Sequence, residues 1–529
     1  MSSIVRLKNG DRIYLYESFS YRNEKGQPRN KRLCIGKVDP ATDQPIYKPE
    51  YLERMASAGH PVAHSPAVSF TIDDIHRSHI REYGAFYLYR TLAERIGLLN
   101  VLRNALPYCW EEVFNLAAYL VSTGEPFSYC EDWLASTEAL PVGPMTSQRI
   151  SELLANITKD ERDDFHHLWC EHRSEVEYLA LDITSTSSYS QLIDSVEMGY
   201  NRDGEDLPQI NICLLVGYHS RYPIYETVYS GSLRDVTTLQ TTIRAFQVLA
   251  GKKPIIVVMD KGFYSATNID AMLSVEQRAD FIVAVPFTCD YANNFVKNES
   301  GDIDRLSNTI VHGQGSLRAV SRLYKWHNKN DLYVHIYYNA RKGQNKRDEL
   351  YTYVTTLRDH AMKEPAKCQN KQDYKKYLAI RRSKKSSIGY TIKIREDIVE
   401  SELKTAGWML VISNCVKDAQ EAIKIYREKD IVEKGFHRLK NSLDLGRLRV
   451  HNETRMQNKV FVGFISLILL TAIHNIMDEK NLYSKMTMKK LILALSRFKL
   501  HVVKGVRIMS PLTKEQRSIF EAFGVKLPV

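Results

Sequence analysis

The chain has 529 residues, 44% of them hydrophobic, and a formal net charge of +11 at pH 7. That length predicts more than one domain with ample apolar material for a core, and a pI near 9.0 suits a polyanionic partner, most simply nucleic acid. The 8 cysteines are scattered with no C-x-x-C pair, which argues against a zinc ribbon or a disulfide scaffold and fits a reducing cytoplasm.

The N-terminus, MSSIVRLKNGDRIYLYES, has no apolar core of signal-peptide type. Residues 1–50 read as a basic β unit, because IYLYES and KRLCIG flank the turn-rich NEKGQP. Arg22, Lys25, Arg29, Lys31 and Arg32 crowd this hairpin. It is either a solvated tip or a DNA-contacting arm carrying Arg29, Lys31 and Arg32. Residues 51–175 read as mainly helical, a region suited to DNA-end binding, with apolar residues at three- and four-residue steps in AFYLYRTLAERIGLLNVL and EEVFNLAAYLVS. Thr158 and Glu161 are spaced as a capping box. His166, His167, Cys170 and His172 follow, but their spacing matches no zinc pattern and they are read as ordinary helix residues.

Residues 176–286 change to short apolar strands: YLALDITS, LPQINICLLVG, YPIYETVYSG, then a helix, PIIVVMD, a short helix and FIVAVPF. The order is α/β in type. Residues 287–405 read as a β-rich insertion whose basic segment carries Arg381, Arg382, Lys384 and Lys385 among Tyr374, Tyr377 and Tyr390. Aromatics between cations favour nucleic-acid contact over a merely solvated face. Residues 406–480 resume the core with GWMLVISN and a long helix from Asp418 to Leu443. The apolar run Val460 to Ile473 is too short to span a bilayer and predicts a buried helix. Residues 481–529 form a C-terminal region.

Two acids stand at strand ends: Asp182 after YLAL, and Asp260 after IIVVM. A carboxylate on a buried strand is costly unless paired or metal-bound. A third acid comes from the long helix. Tyr426, Lys429, Glu433 and Lys440 fall within roughly 60° of one another on a helical wheel. Ile425, Val432, Phe436, Leu439 and Leu443 make the neighbouring apolar stripe. A surface ion pair between Lys429 and Glu433 would explain those two residues but not Tyr426 and Lys440 on the same line. Three converging carboxylates are what Mg²⁺-dependent phosphoryl chemistry needs.

The stripe resembles the signature of the YREK class of bacterial insertion-sequence DDE transposases, matched at Tyr426, Glu433 and Lys440, with Lys429 where that class has Arg. YLALDITSTS, VVMDKGFYSATN and GYNRDGEDLPQINICLLVG resemble the strands that carry and join its two Asp residues. The resemblance implies a ribonuclease-H-like core with a β-rich insertion. It implies that Asp182, Asp260 and Glu433 bind two Mg²⁺ ions, with Mn²⁺ able to substitute, and that Tyr426, Lys429 and Lys440 contact phosphates. It also implies cutting of double-stranded DNA at the element's ends, joining to target DNA, a homodimer at synapsis, no membrane, and a bacterial cytoplasmic, nucleoid-associated location. Two alternatives stay open: a structure-selective nuclease on the same fold without strand transfer, and a non-catalytic DNA-binding relic.

Overall fold

Residues 2–9, 12–22, 26–39, 44–57, 71, 74, 78–172, 177–250, 254–274, 279–312, 315–384 and 386–528 are described by a computed structural model. The chain divides into two units, Met1–Ile80 with His501–Ile508, and Arg81–Leu500 with Met509–Val529.

In the first unit the alternation of apolar and polar residues yields four antiparallel strands in chain order: β1 (Ser2–Asn9), β2 (Arg12–Arg22), β3 (Pro28–Val38) and β4 (Pro45–Tyr47). A helix, α1 (Pro49–Ser57), follows. Leu15, Ile35, Val38 and Tyr51 make a small core. The expected hairpin is therefore the middle pair of a larger sheet. Lys25 lies outside the described residues.

The second unit opens with helices α2 (Gly84–Arg95), α3 (Leu98–Ala105), α4 (Trp110–Thr123), α5 (Cys130–Ser136), α6 (Ser147–Asn156) and α7 (Lys159–His172). The capping box before α7 forms: the Thr158 amide donates to Glu161 Oε2 at 2.7 Å, and the Glu161 amide to Thr158 Oγ1 at 3.2 Å. His166 is buried against Tyr225, Phe461 and Phe464, whereas His167 Nδ1 meets the Leu249 carbonyl oxygen.

A nine-stranded mixed sheet follows. Its strands are β5 (Tyr178–Ser187), β6 (Gln209–Gly217), β7 (Pro223–Ser230), β8 (Ile256–Met259), β9 (Asp280–Val285), β10 (Thr309–His312), β11 (Gly315–Trp326), β12 (Asn330–Tyr338) and β15 (Trp408–Ser413). The two strands β13 (Leu378–Arg382) and β14 (Tyr390–Ile394) form a separate hairpin. Across the large sheet the order is β10-β11-β12-β15-β9-β8-β5-β6-β7. β5, β8 and β9 run parallel, and the remaining neighbours are antiparallel.

One face of the sheet packs on α8 (Asp235–Ala250) and α9 (Ala266–Leu273), through Leu181, Val257, Met259, Ile243 and Ile269. A further helix, α10 (Asp290–Glu299), adds Ala292 and Val296 to that core. The opposite face packs on helices from the end of the unit.

The stretch expected to be a β-rich insertion is only half so. Its first part, β10 to β12, extends the large sheet. Its second part is mainly helical, with α11 (Ala340–Lys363) and α12 (Glu396–Leu403) enclosing the β13–β14 hairpin around Leu350, Val354, Leu357, Leu378 and Val399. The chain returns to the sheet at Gly407, where φ is +82° and an added Cβ would lie 2.6 Å from the Asn339 carbonyl oxygen. The Asn339 amide donates to the Gly407 carbonyl at 2.8 Å, which fixes the start of β15 beside the end of β12. Gly407→Ala is therefore expected to cost about 1–3 kcal/mol, from strain and crowding together. A denaturant titration with an unchanged midpoint would show that this turn relaxes freely.

The helix expected from Asp418 to Leu443 is two helices, α13 (Ala419–Arg427) and α14 (Asp430–Ser442). At the junction the amides of Lys429, Ile431 and Val432 bond to the residues three before them, Tyr426, Glu428 and Lys429. Next comes α15 (Glu453–Glu479), which packs on α2, α4, α6, α14 and β7. Among the described residues it is one helix long and apolar enough to cross a membrane, yet 83% of its apolar window is buried in the fold. It is the core helix expected at Val460–Ile473. The helices α16 (Met488–Ser496) and α17 (Lys514–Ala522) complete the unit.

Candidate active site

Strand parity sets the site. Leu179, Leu181 and Ile183 of β5 belong to the core on the α8 face, and so do Val257 and Met259 of β8. Ala180 and Val258 belong to cores on the other face. Side chains alternate along a strand, so Asp182 and Asp260 share the parity of Ala180 and Val258 and point to the α13–α14 face. The parallel register places Leu181 opposite Met259, so the two acids follow at the same level of adjacent strands.

Each aspartate is held by its own backbone. Asp182 Oδ1 accepts from the Ile183 amide at 2.8 Å, and Asp260 Oδ1 from the Lys261 amide at 2.6 Å. Burial raises Asp182 from the usual range to about 6, against the pull of the Ile183 amide, Lys429 and Arg202, and the nearby Asp260 charge adds to the rise.

The helix pair supplies the rest. Tyr426 is buried at the end of α13, and its hydroxyl donates to Asp260 Oδ1 at 3.2 Å. Burial raises its pKa, and the Asp260 carboxylate adds to this, so the phenol stays a donor. Lys429, at the junction, lies 3.2 Å from Glu433 Oε1 and 3.9 Å from Asp260 Oδ2. Burial works against its charge, but Asp260, Glu433 and Asp182 outweigh this and hold its pKa above the ordinary lysine value. Glu433 stands in the first turn of α14, where the helix dipole favours an anion. The break thus gives Glu433 a helix N-terminus that one continuous helix would lack.

Glu433 and Asp260 are therefore brought to one ammonium, whose charge also reaches Asp182 on the neighbouring strand. Among the described residues, no group of three or more His, Cys, Asp or Glu side chains is near enough to hold a metal ion as it stands. The donor set is nonetheless chemically suited to one: hard carboxylate oxygens, one of them kept from full solvation and held as a reluctant anion. Lys440 is not in this cluster. Its Nζ lies 2.6 Å from Asp203 Oδ2, in the segment between β5 and β6. That segment also supplies Arg202, which the sequence reading did not single out. Arg202 bonds both oxygens of Asp235 at 2.5 Å, and its charge reaches Asp182. The run NRDGED was its only signal.

The other cations lie apart from the cluster. Arg381 and Arg382 end β13 and are exposed, as is Lys384 in the turn beyond, and Lys385 lies outside the described residues. The interleaved aromatics are partly structural: the Tyr377 hydroxyl donates to Glu402 Oε2 at 3.0 Å, and Tyr374 meets His360 Nδ1 at 2.7 Å. Arg29, Lys31 and Arg32 are exposed on β3 in the first unit.

The family described as "Transposase DDE domain" matches residues 176–469, from the start of β5 to within α15. The chain belongs to the DDE transposase family. The match spans both aspartate strands and the α13–α14 pair, so the cluster lies wholly inside the family's catalytic domain. DDE transposases cleave DNA and use divalent metal ions. No curated protein matches this transposase. A solved structure, described as a cryo-EM structure of a piggyBac transposase synaptic complex with hairpin DNA, is similar over 84% of this chain and 75% of that chain, at 10% identity and a TM-score of 0.37.

Proposed function

We propose that this transposase binds the ends of an insertion sequence of the YREK class, cuts them, and joins the freed 3′ ends to target DNA, with Asp182, Asp260 and Glu433 as its metal-binding triad. The observation that carries this is that Asp260 and Glu433 meet at Lys429, while Asp182 stands level with Asp260 on the adjacent strand and within reach of the same charge. The strand order β7-β6-β5-β8-β9, three antiparallel strands followed by two parallel to the first, supports a ribonuclease-H-like core.

Two Mg²⁺ ions, or Mn²⁺ in their place, would supply an activated attacking oxygen and a stabilised leaving oxygen at the phosphate. The chain's own groups do the rest. The Tyr426 hydroxyl fixes one Asp260 oxygen and so orients the other. Lys429 offsets the repulsion between the carboxylates, and its ammonium would pair with an incoming phosphate. Lys440 extends that cationic line to the segment carrying Asp203. The reading places double-stranded DNA across the α13–α14 face, with a homodimer at synapsis, in a bacterial cytoplasm.

The deciding experiment incubates the purified chain with Mg²⁺ and paired duplexes bearing the inverted repeats found beside its gene. Joined products support the full reading. Nicks without joining would reduce it to a nuclease, and no cleavage in Mg²⁺ or Mn²⁺ would leave only a DNA-binding relic. Asp260→Ala should remove cleavage while end binding survives, because affinity rests on phosphate contacts with Lys and Arg.

The basic run that begins with the exposed Arg381, Arg382 and Lys384 gives a separate expectation. Neutralising Arg381, Arg382, Lys384 and Lys385 together should weaken DNA binding and lower the slope of log K against log salt by about one per lost phosphate contact. An unchanged slope would make this tip a solvated surface.

A further inference from the structure

The antiparallel register of β2 and β3 sorts the exposed end of the first unit's sheet into two chemically different faces. Opposed residues share a face, and the pairs are Ser18 with Arg32, Phe19 with Lys31, Ser20 with Asn30, Tyr21 with Arg29 and Arg22 with Pro28. One face therefore carries Ser20, Arg22, Asn30 and Arg32. The other carries Phe19, Tyr21, Arg29 and Lys31.

Beyond Phe19 the ribbon is only two strands wide, because β1 ends its pairing there and β4 reaches only Gly36 to Val38. Both faces are open: Ser20, Tyr21, Arg22 and 28–33 are all exposed. The described residues 18–22 and 26–33 include four cations, Arg22, Arg29, Lys31 and Arg32, and no acid. Nothing in the first unit's small core uses these side chains.

We infer that this ribbon enters the major groove of duplex DNA with the Ser20–Arg22–Asn30–Arg32 face against the base edges, and so reads the sequence of the element's ends. A major groove about 12 Å wide admits a two-stranded ribbon. Asn pairs bidentately with adenine and Arg with guanine, which are the two side-chain types this face presents. Asn30 is pre-set for the task. The Ser20 hydroxyl donates to its Oδ1 at 2.8 Å, which fixes the amide plane and leaves the Nδ2 hydrogens and one lone pair of Oδ1 for a base. The Arg22 guanidinium is held at one corner, with Nη1 donating to the Gly26 carbonyl at 3.2 Å, which leaves its other N–H groups for a base. On the reverse face Arg29 and Lys31 are long enough to reach the phosphates along the groove walls, where they add affinity without sequence information. Charge favours DNA over a protein partner. Paired bases favour the hydrogen-bonding face over the aromatic one, because stacking on Phe19 and Tyr21 needs unpaired bases.

The inference rests on the transposase reading and is tested apart from it. The full chain selects from a pool of duplexes with a randomised central segment, and each variant then binds the enriched duplex and a scrambled one over a range of salt. Asn30→Ala and Arg32→Ala should each cut the ratio of specific to scrambled affinity by about ten- to a hundredfold. Arg29→Ala and Lys31→Ala should lower both affinities together, keep the ratio, and reduce the salt slope by about one each. Circular dichroism checks that these exposed substitutions leave the fold intact. The inference is overturned if Asn30→Ala and Arg32→Ala lower both affinities alike, if Phe19→Ala with Tyr21→Ala removes the selectivity instead, or if the pool yields no motif. Nicking of supercoiled plasmid in Mn²⁺, run in parallel, tells which reading has failed. Nicking without a motif overturns the ribbon alone, whereas neither nicking nor a motif overturns both.

Discussion

Glu433→Gln is expected to lower Mg²⁺-dependent cleavage on the order of a thousandfold, the several kcal/mol that a lost metal-binding carboxylate costs, while Glu428→Gln keeps most of the activity. The two acids flank Lys429 in sequence, so the comparison is a test of geometry rather than of charge. On an ideal helix Glu428 stands about 200° from Tyr426 and Glu433 about 20° from it. In the structure Glu433 is the acid that reaches Lys429, at 3.2 Å, and Lys429 in turn lies 3.9 Å from Asp260. Glu428 is exposed, and its charge is felt instead by Tyr218. Cleavage is read on a labelled end duplex under single-turnover conditions. A dead Glu428→Gln beside an active Glu433→Gln would falsify the assignment of the third acid.

The second large effect is one of opposite signs. Asp182→Asn should abolish cleavage yet stabilise the metal-free protein. The cause is burial, which raises the Asp182 carboxyl from 3.8 to about 6, so the native state binds its proton more tightly than the unfolded chain does. Stability therefore falls as pH rises through the window between those two values, and the loss is complete above it. At about 1.4 kcal/mol per unit, the ionised side chain costs the fold about 3 kcal/mol at neutral pH. Asparagine carries no such charge. Metal-free Asp182→Asn should melt several degrees above the wild type at pH 7.5, with the gain shrinking as pH is lowered to 4.5. Adding Mg²⁺ should raise the wild-type melting temperature and leave the variant's unchanged. A variant less stable than the wild type at pH 7.5 without metal would show that Asp182 serves packing rather than ligand binding.

Much of this site was legible before any coordinates. YLALDITS and IIVVMD each end an apolar run on an acid, and strand alternation then fixes which face the acid takes. What the letters could not give was the level match between β5 and β8, since register across parallel strands is a non-local property. The helix break was also hidden. Glu428 and Lys429 are good helix formers, and neither Pro nor Gly marks the junction. The wheel nevertheless grouped Tyr426, Lys429 and Glu433, which the structure holds near Asp260, because a short tightened turn rotates the chain only slightly. Lys440, beyond the break, fell on the same stripe yet pairs with Asp203 instead of the triad. The second half of the insertion was misjudged for a different reason. Its charged residues drew attention, while Leu350, Val354, Leu357 and Ala361, the buried line of a 24-residue helix, have helical spacing that could have been read.

The position of β15 in the large sheet has a consequence for synthesis. This strand is the last of the nine to be translated, yet it lies between β9 and β12, not at an edge. A nascent chain that has not reached Ser413 holds two half-sheets, each with an unpaired inner edge of the kind that invites aggregation. Glu433 leaves the ribosome later still. With the proposed triad, cleavage therefore cannot begin until most of the polypeptide has been made. Chains cut short by an early stop codon or by proteolysis within 340–403 would be sticky but harmless to DNA.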